Sequence, residues 1–302
     1  VKTINTKSKT NPNTLLVKIH DEFPSLTWDT YKYIASGWDH EVIVLDNSIV
    51  FRFPNDNEYR ASLAIEIKVL RQLQTLVQAS IPNYTFVARD MSFAGYPIVA
   101  GEALSKSRFY MLSETDREVI AKQLANLLSS LHMANDKGLD SSKVASSYMP
   151  NEQAEVKALA SKHLPKALSK DDYRIVEVIL EQVDDLLLKS NPISFIHGDV
   201  YSDHLLWDEQ HQKLGLIDFS DMSIADPAID FAELYEYGKS FMEIVYQHYT
   251  APKDKTFLQR AWIYQRWIGV FMMTDYFVHS KTSFNVARQT FDGVKTGLIS
   301  VS

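Results

Sequence analysis

The chain has 302 residues, 45% hydrophobic and 23% charged, a composition that supports a substantial apolar core in one large domain or two lobes. Its formal net charge of −7 argues against a nucleic-acid partner, which demands a basic face, and suits a cationic ligand. The absence of cysteine excludes disulfide frameworks, thiolate metal sites and a cysteine nucleophile.

The chain starts polar: Val1 to Asn13 lacks the apolar segment of a secretion signal, and no apolar run reaches the roughly 18 residues of a membrane helix. With cysteine-free usage, this sets the expectation of a cytoplasmic protein with no membrane partner. Val42-Ile43-Val44-Leu45 and Ile49-Val50-Phe51-Arg52-Phe53, split by Asp46-Asn47-Ser48, predict a β-hairpin that Pro54 closes. Arg52 is the only charge on its strand. From about Glu58 to Gln78 the spacing is helical, with Val69, Leu70, Leu73 and Val77 on a narrow arc and Glu66 in its middle. A carboxylate on an apolar stripe needs a partner, and Arg52 on the neighbouring strand is the candidate.

Phe86-Val87-Ala88 and the run from Ser92 to Val99 predict two further strands, and Ala100-Gly101-Glu102 reads as a connector. Strand dominates before it and helix after it. The expected division is an N-terminal lobe over 1–99 and a C-terminal lobe over 100–302, with a hinge at about 96–101. Ser113-Glu114-Thr115-Asp116 carries an N-cap with an acid at the third helical position, ahead of the apolar face Ile120, Leu124, Leu127, Leu128 and Leu131. A second amphipathic helix is predicted over roughly Asp171 to Lys189. Phe195-Ile196 then forms a buried strand, followed by a loop and a hairpin with its tip at Asp208 to Lys213. Beyond Asp226-Pro227 the pattern is helical and rich in aromatics.

Two buried strands each lead to an acid: Phe195-Ile196-His197-Gly198 to Asp199, and Leu214-Gly215-Leu216-Ile217 to Asp218. Buried carboxylates are costly unless paired, hydrogen-bonded or bound to a cation. The topology brings Asp199, His204 and Asp218 to one mouth. An imidazole with oxygen ligands suits a hard divalent cation, and a free carboxylate can take a proton from a hydroxyl. Phosphoryl transfer asks little more, given a cation such as Arg52 near the phosphates.

His197-Gly198-Asp199 with His204, then Ile217-Asp218-Phe219, resembles the catalytic and metal loops of the aminoglycoside and macrolide phosphotransferases, the 2''-type aminoglycoside enzymes most of all. The resemblance covers most of the chain: Ser36-Gly37-Trp38-Asp39 at the nucleotide loop, Val50 to Pro54 at the phosphate-binding strand, Gly95 to Gly101 at the hinge, and Asp226-Pro227-Ala228-Ile229-Asp230-Phe231 at the DPxxDF segment. It implies an α+β, bilobal protein-kinase-like fold, with a small antiparallel sheet lobe and a large, mainly helical lobe. It further implies a kinase that moves the γ-phosphate of GTP or ATP to an antibiotic hydroxyl. Asp199 is then the base and His204 and Asp218 the magnesium ligands. Arg52, held by Glu66, contacts phosphate. Ser36 and Gly37 cover the nucleotide, Tyr96 is a gatekeeper associated with GTP preference, and Pro97 and Val99 offer backbone groups to the purine.

Three departures stand out: Arg52 replaces the usual lysine, His204 the usual asparagine of kinases, and no full GxGxxG is present. For the acceptor, Asp221, Glu233 and Glu236 are the candidate contacts to a polycationic aminoglycoside. A macrolide would instead need an apolar cleft, for which Trp262, Trp267, Phe271, Met272 and Met273 are available but also fit a plain core. Other readings are the kinase of an endogenous small alcohol, a catalytically silent kinase-fold binder and a metal-dependent phosphohydrolase. His197 is read as a loop brace and Asp230 as a tie for the catalytic loop. His132, His163, His211, His248 and His279 are read as fillers without partners. A monomer is expected.

Overall fold

The computed structural model describes residues 10–35, 40–189, 191–280 and 282–295. Its first lobe opens with α1 (Pro12–Glu22), followed by β1 (Tyr31–Ile34), β2 (His40–Leu45), β3 (Ile49–Pro54), α2 (Asn57–Leu73), β4 (Phe86–Val87) and β5 (Ala94–Pro97). The strands form one antiparallel sheet in the order β1-β2-β3-β5-β4. The β2–β3 hairpin matches the expected one. Its turn places Asp46 and Asn47 at φ 47° and 48°, the left-handed region these short polar residues tolerate. The helix α1 was not anticipated. Asn11 caps it, a proline follows in the first turn, and its buried Leu15 and Ile19 join Ile43, Leu45, Phe51 and Phe53 on the outer face of the sheet.

On the inner face, Asp56 caps α2, which carries Glu66 toward the sheet. The helix stops at Leu73, short of Gln78, because the amides of Leu76 and Val77 turn back onto the Leu73 carbonyl. Ser80 then pairs its backbone with Leu214 and Leu216 of the second lobe. That tether ends the helix where periodicity alone would extend it.

The second lobe runs β6 (Glu102–Ala103), α3 (Lys106–Met111), α4 (Glu114–His132), α5 (Met149–Ala167), α6 (Lys170–Leu188), β7 (Ser194–Ile196), β8 (Leu205–Asp208), β9 (Lys213–Leu216), β10 (Ser223–Ala225), α7 (Lys239–His248), α8 (Phe257–Asp275) and α9 (Phe284–Val294). The protein is thus α+β and bilobal, with a small sheet lobe and a large helical lobe. Ser113 accepts from the Asp116 amide, as its capping pattern predicts, and α6 begins and ends within a residue of expectation. The sequence offered no comparable sign of α5, which starts without a side-chain cap and contains Pro165. Among the described residues, no helix is long and apolar enough to cross a membrane.

Two small sheets carry the chemistry: β7 pairs with β10, and β6 with β8 and β9. Where the chain passes from β5 to β6, Gly101 has φ +115° and lies so close to β8 that a Cβ would meet the Trp207 carbonyl carbon at 2.8 Å. Only glycine fits that crossing.

Candidate active site

The buried strand β7 delivers the chain into a loop whose backbone is fixed from below. The buried carboxylate of Asp230 accepts from the amides of His197 (2.9 Å) and Gly198 (2.8 Å). Gly198 has φ +90°, and a Cβ there would meet the Asp221 carbonyl oxygen at 2.4 Å. Asp230 is itself held by His132, whose Nε2 lies 3.0 Å from its Oδ2 and whose Nδ1 lies 2.6 Å from the Tyr249 hydroxyl. Burial pushes the Asp230 carboxyl up, but these hydrogen bonds and the nearby imidazoles bring it below the ordinary range.

His132 is therefore no filler; it backs the tie under the loop that follows β7. His211 and His279 also have partners, in Asp208 and Asp275, and His163 stacks on Phe277. The brace expected of His197 is present. Its Nδ1 accepts from the Asp199 amide at 3.2 Å, and its Nε2 donates to the Ile217 carbonyl at 3.2 Å. Burial keeps this ring neutral by lowering its pKa.

With the loop so held, three groups converge. Asp199 is half-buried, and His204 Nδ1 lies 3.1 Å from its carbonyl oxygen and 3.2 Å from its Oδ2. That bond places the proton on Nδ1 and turns Nε2 toward Asp218, 3.7 Å from Oδ2. Asp218 lies two residues beyond β9 at φ +64°, and its Oδ1 accepts from Ser220 (2.8 Å) and from Arg52 of β3 (3.2 Å). Burial opposes ionisation of Asp218, but Arg52 and His204 hold its pKa down at about 2. For His204, burial pulls the pKa down, and the Asp199 hydrogen bond and charge outweigh it, raising the value to about 9.

Arg52 is paired as its sequence setting demands. Its Nη1 donates to both Glu66 oxygens at 2.8 and 3.0 Å, and Tyr84 donates to Glu66 at 2.9 Å. Nη2 also reaches His40 Nδ1 at 3.2 Å. An arginine only donates, so that nitrogen is the acceptor and the His40 ring is neutral, its pKa lowered to about 3 by burial and by Arg52. Burial opposes the Arg52 charge, and Glu66 more than restores it. Neither Tyr84 nor His40 was visible in the sequence as part of this cluster. His40 could have been found from strand parity, since Val42 faces Arg52 in register and His40 lies two residues along on the same face.

A second group of acids surrounds Asp199. Glu233 and Glu236 open a 3₁₀ turn (Glu233–Tyr237), whose three residues per turn place both on one face. Glu233 shares a hydrogen bond with Asp199. Burial, then the charges of Asp199 and Glu236, hold its carboxyl well above the ordinary range. Glu236 is raised by burial, against a hydrogen bond from Ser202 and the charge of Lys106. Asp203, which the sequence reading passed over, adds its charge to Glu236 and Tyr237. Its signal was its place within the loop between Asp199 and His204. Asp221 is exposed, with its backbone against Gly198.

At the crossing between lobes, Tyr96 is buried and packs edge-to-face on Tyr84 with ring centroids 5.0 Å apart. Pro97 is exposed, Val99 is buried, and the Ile98 amide is taken by the Ser48 carbonyl. Ser36 and Gly37 lie outside the described residues. Of the side chains considered for an apolar cleft, Trp267 and Met273 are core, and Trp267 donates to Gln153 at 2.7 Å. Trp262 sits edge-to-face with Tyr235.

The described residues offer no cluster of three or more His, Cys, Asp or Glu that would cage a metal by itself. His204 Nε2 and Asp218 Oδ2 nevertheless face each other without a closer mutual bond. Two protein ligands completed by substrate oxygens is the pattern magnesium favours, and the residues fit that ion once its charge displaces the proton that Asp199 and Asp218 hold on His204.

A family model described as the phosphotransferase enzyme family, APH, matches residues 30–262. The chain belongs to the APH family. It is accordingly a phosphotransferase enzyme, and its fold is shared by solved members. The GDP complex of wild-type aminoglycoside 2'-phosphotransferase-IIIa superposes with a TM-score of 0.81 at 21% identity, covering 95% of this chain and 99% of that one. The streptomycin-ATP-APH(2")-IIa ternary complex gives 0.68 at 18% identity, with 95% and 96% covered. Macrolide 2'-phosphotransferase MphH from Brachybacterium faecium gives 0.64 at 14% identity, with 93% and 97% covered.

Proposed function

We propose that this APH-family enzyme transfers the γ-phosphoryl group of GTP or ATP to a hydroxyl of an aminoglycoside. The observation that carries the acceptor class is the second carboxyl on the base: Glu233 is hydrogen-bonded to Asp199, with Glu236 and Asp203 close behind. Such a cluster is relieved by an amine-rich ligand and gains nothing from an apolar one. Asp199 accepts the hydroxyl proton as the new O–P bond forms and the β–γ bridge breaks. Asp221, Glu233 and Glu236 hold the acceptor's ammonium groups.

On the other side of the transferred group, Arg52 contacts the phosphates while Glu66 fixes its guanidinium. Magnesium, held by His204 and Asp218, would neutralise charge on the phosphate oxygens. The purine lies against the chain at Tyr96, Pro97 and Val99, and the bulk of Tyr96 favours GTP; Ser36 and Gly37, the sequence candidates for covering the nucleotide, lie outside the described residues. In this reading 1–99 and 100–302 act as the two lobes, hinged at about 96–101.

The test is a nucleotide-consumption screen, GTP and ATP in parallel, against kanamycin-type, gentamicin-type and macrolide acceptors, with Asp199→Asn as control. Turnover with the polyamine acceptors that is lost in the control is the expected outcome. Turnover with the macrolide alone reassigns the acceptor, and turnover with water alone makes the enzyme a phosphohydrolase.

A further inference from the structure

Three arginines are buried: Arg52, Arg260 and Arg266. The first two show how this protein treats a guanidinium removed from water. Arg52 is paired with Glu66 and Asp218, and Arg260 with Asp226 and Asp254. Arg266 on α8 is 9% exposed and has no carboxylate partner among the described residues. Its Nη1 donates to the neutral Gln182 side chain at 3.0 Å, its Nη2 makes a long 3.5 Å contact with the Lys295 carbonyl, and its Nε–H finds no acceptor among the described residues. The nearby acids are committed elsewhere: Asp172 binds Arg288 and Lys295, and Asp292 binds the same two cations. Burial lowers the Arg266 pKa. A buried cation without a counter-charge is costly to the fold, and an anion placed against it offsets part of that cost.

Arg266 lines a groove of about 320 Å³ between α6 and α8, and so does a second guanidinium, Arg174. Ile175 and Val178 supply an apolar wall, and Asp171 completes the lining. Asp171 forms no ion pair with either arginine among the described residues, so the groove keeps a net positive charge. Its lining belongs to α6 and α8 and includes none of Asp199, His204, Asp218 or Arg52.

We propose that this groove is a second binding site, for a small organic anion bearing a carboxylate or phosphate-monoester head on an apolar body. The head takes the planar fork of Arg266, with Arg174 closing over it, and the body rests on Ile175 and Val178. Asp171 at the rim disfavours ligands with further negative charge. The volume is at the small end of ligand pockets, which limits the occupant to a compact molecule.

The experiment is calorimetric titration of the full chain with phenyl phosphate and with benzoate, with ADP and GDP both in excess to fill the phosphotransfer cleft. Phenol serves as the uncharged control. Saturable binding of either anion is expected, with none for phenol. Arg266→Gln should weaken it on the order of tenfold or more, the scale of a lost charged hydrogen bond, while raising the melting temperature and leaving phosphotransfer unchanged. Val178→Glu, a change at a position 42% exposed, should abolish binding without touching the fold. No saturable binding up to about 10 mM of either anion overturns the proposal. Binding that survives both substitutions, or that appears only when the nucleotides are withheld, overturns it equally.

Discussion

The two sides of Asp199 are built on opposite electrostatic plans. On the side proposed for the phosphates each charge is answered: Arg52 by Glu66 and Asp218, and Asp218 by Arg52, Ser220 and His204. On the side proposed for the acceptor Glu233, Glu236 and Asp203 raise one another or their neighbours, and among the described residues Lys106 is the cation that acts on Glu236. The first arrangement is complete in the protein alone and holds its geometry before any ligand arrives. The second stores unfavourable energy that a cation from outside, as proposed for the acceptor, would release. The same residue type therefore stabilises the fold on one side and weakens it on the other, and substitutions can separate the two.

The largest effect is expected at the junction. Asp199→Asn keeps the shape and the bond to His204 but removes the proton acceptor, and kcat should fall by about 10²–10⁴ with nucleotide affinity unchanged. Single-turnover rates and a nucleotide titration measure the two quantities. A drop below tenfold would remove Asp199 from the base role and break the comparison at its centre. Next comes Glu66→Gln, which strands the buried Arg52 guanidinium and should cost about 3–5 kcal/mol of stability by denaturant unfolding. Glu236→Gln, the matching change on the acceptor side, should leave stability unchanged or raise it. Equal losses for both would show that the two sides are not electrostatically distinct.

What local pattern decides was legible in the sequence on both sides of Asp199, and what distant contacts decide was not, for physical reasons. A lone cation on an apolar strand and a lone acid on an apolar helical stripe have few ways to be satisfied, so Arg52 and Glu66 could be matched from pattern alone. The same holds for Asp199 and Asp218, each following a buried strand, and for the cap at Ser113. What stayed hidden depends on contacts distant along the chain. His132 looked unpartnered because Asp230 lies 98 residues away, and Tyr84 joins Arg52 across 32. Periodicity also failed where the backbone, not the side chains, decides. The α2 terminus follows from the Ser80 tether, and Glu233 and Glu236 align through a 3₁₀ turn rather than the α-helix their spacing suggested.

Removing acceptor-side acids should act on binding before chemistry. Asp221→Ala and Glu236→Ala should each raise KM for a polyamine acceptor by on the order of tenfold, as loss of one charged contact does, with kcat and the nucleotide KM nearly unchanged. A fall in kcat with KM untouched would instead make these residues part of the transfer step.

The smallest effect is the most specific test of stored repulsion, because it carries a sign. Glu233 has a folded-state pKa raised by burial and by the Asp199 and Glu236 charges, while the unfolded chain ionises it near about 4.3. Above that pH and up to the raised value, the folded state binds more protons than the unfolded one, so stability falls as pH rises. Glu233→Gln removes that slope and should raise the melting temperature at neutral pH, on the order of a few degrees, with no gain at pH 4. The acceptor shows the opposite face of the same linkage. An ammonium against Glu233 favours the carboxylate, so KM for a polyamine should fall as pH rises through the Glu233 pKa, and the Gln variant should lose that dependence. Melting curves and acceptor KM measured over one pH series decide it: a variant that is no more stable at pH 7 than the parent would mean that Glu233 is already neutralised within the fold, and the acceptor side would then need no outside cation.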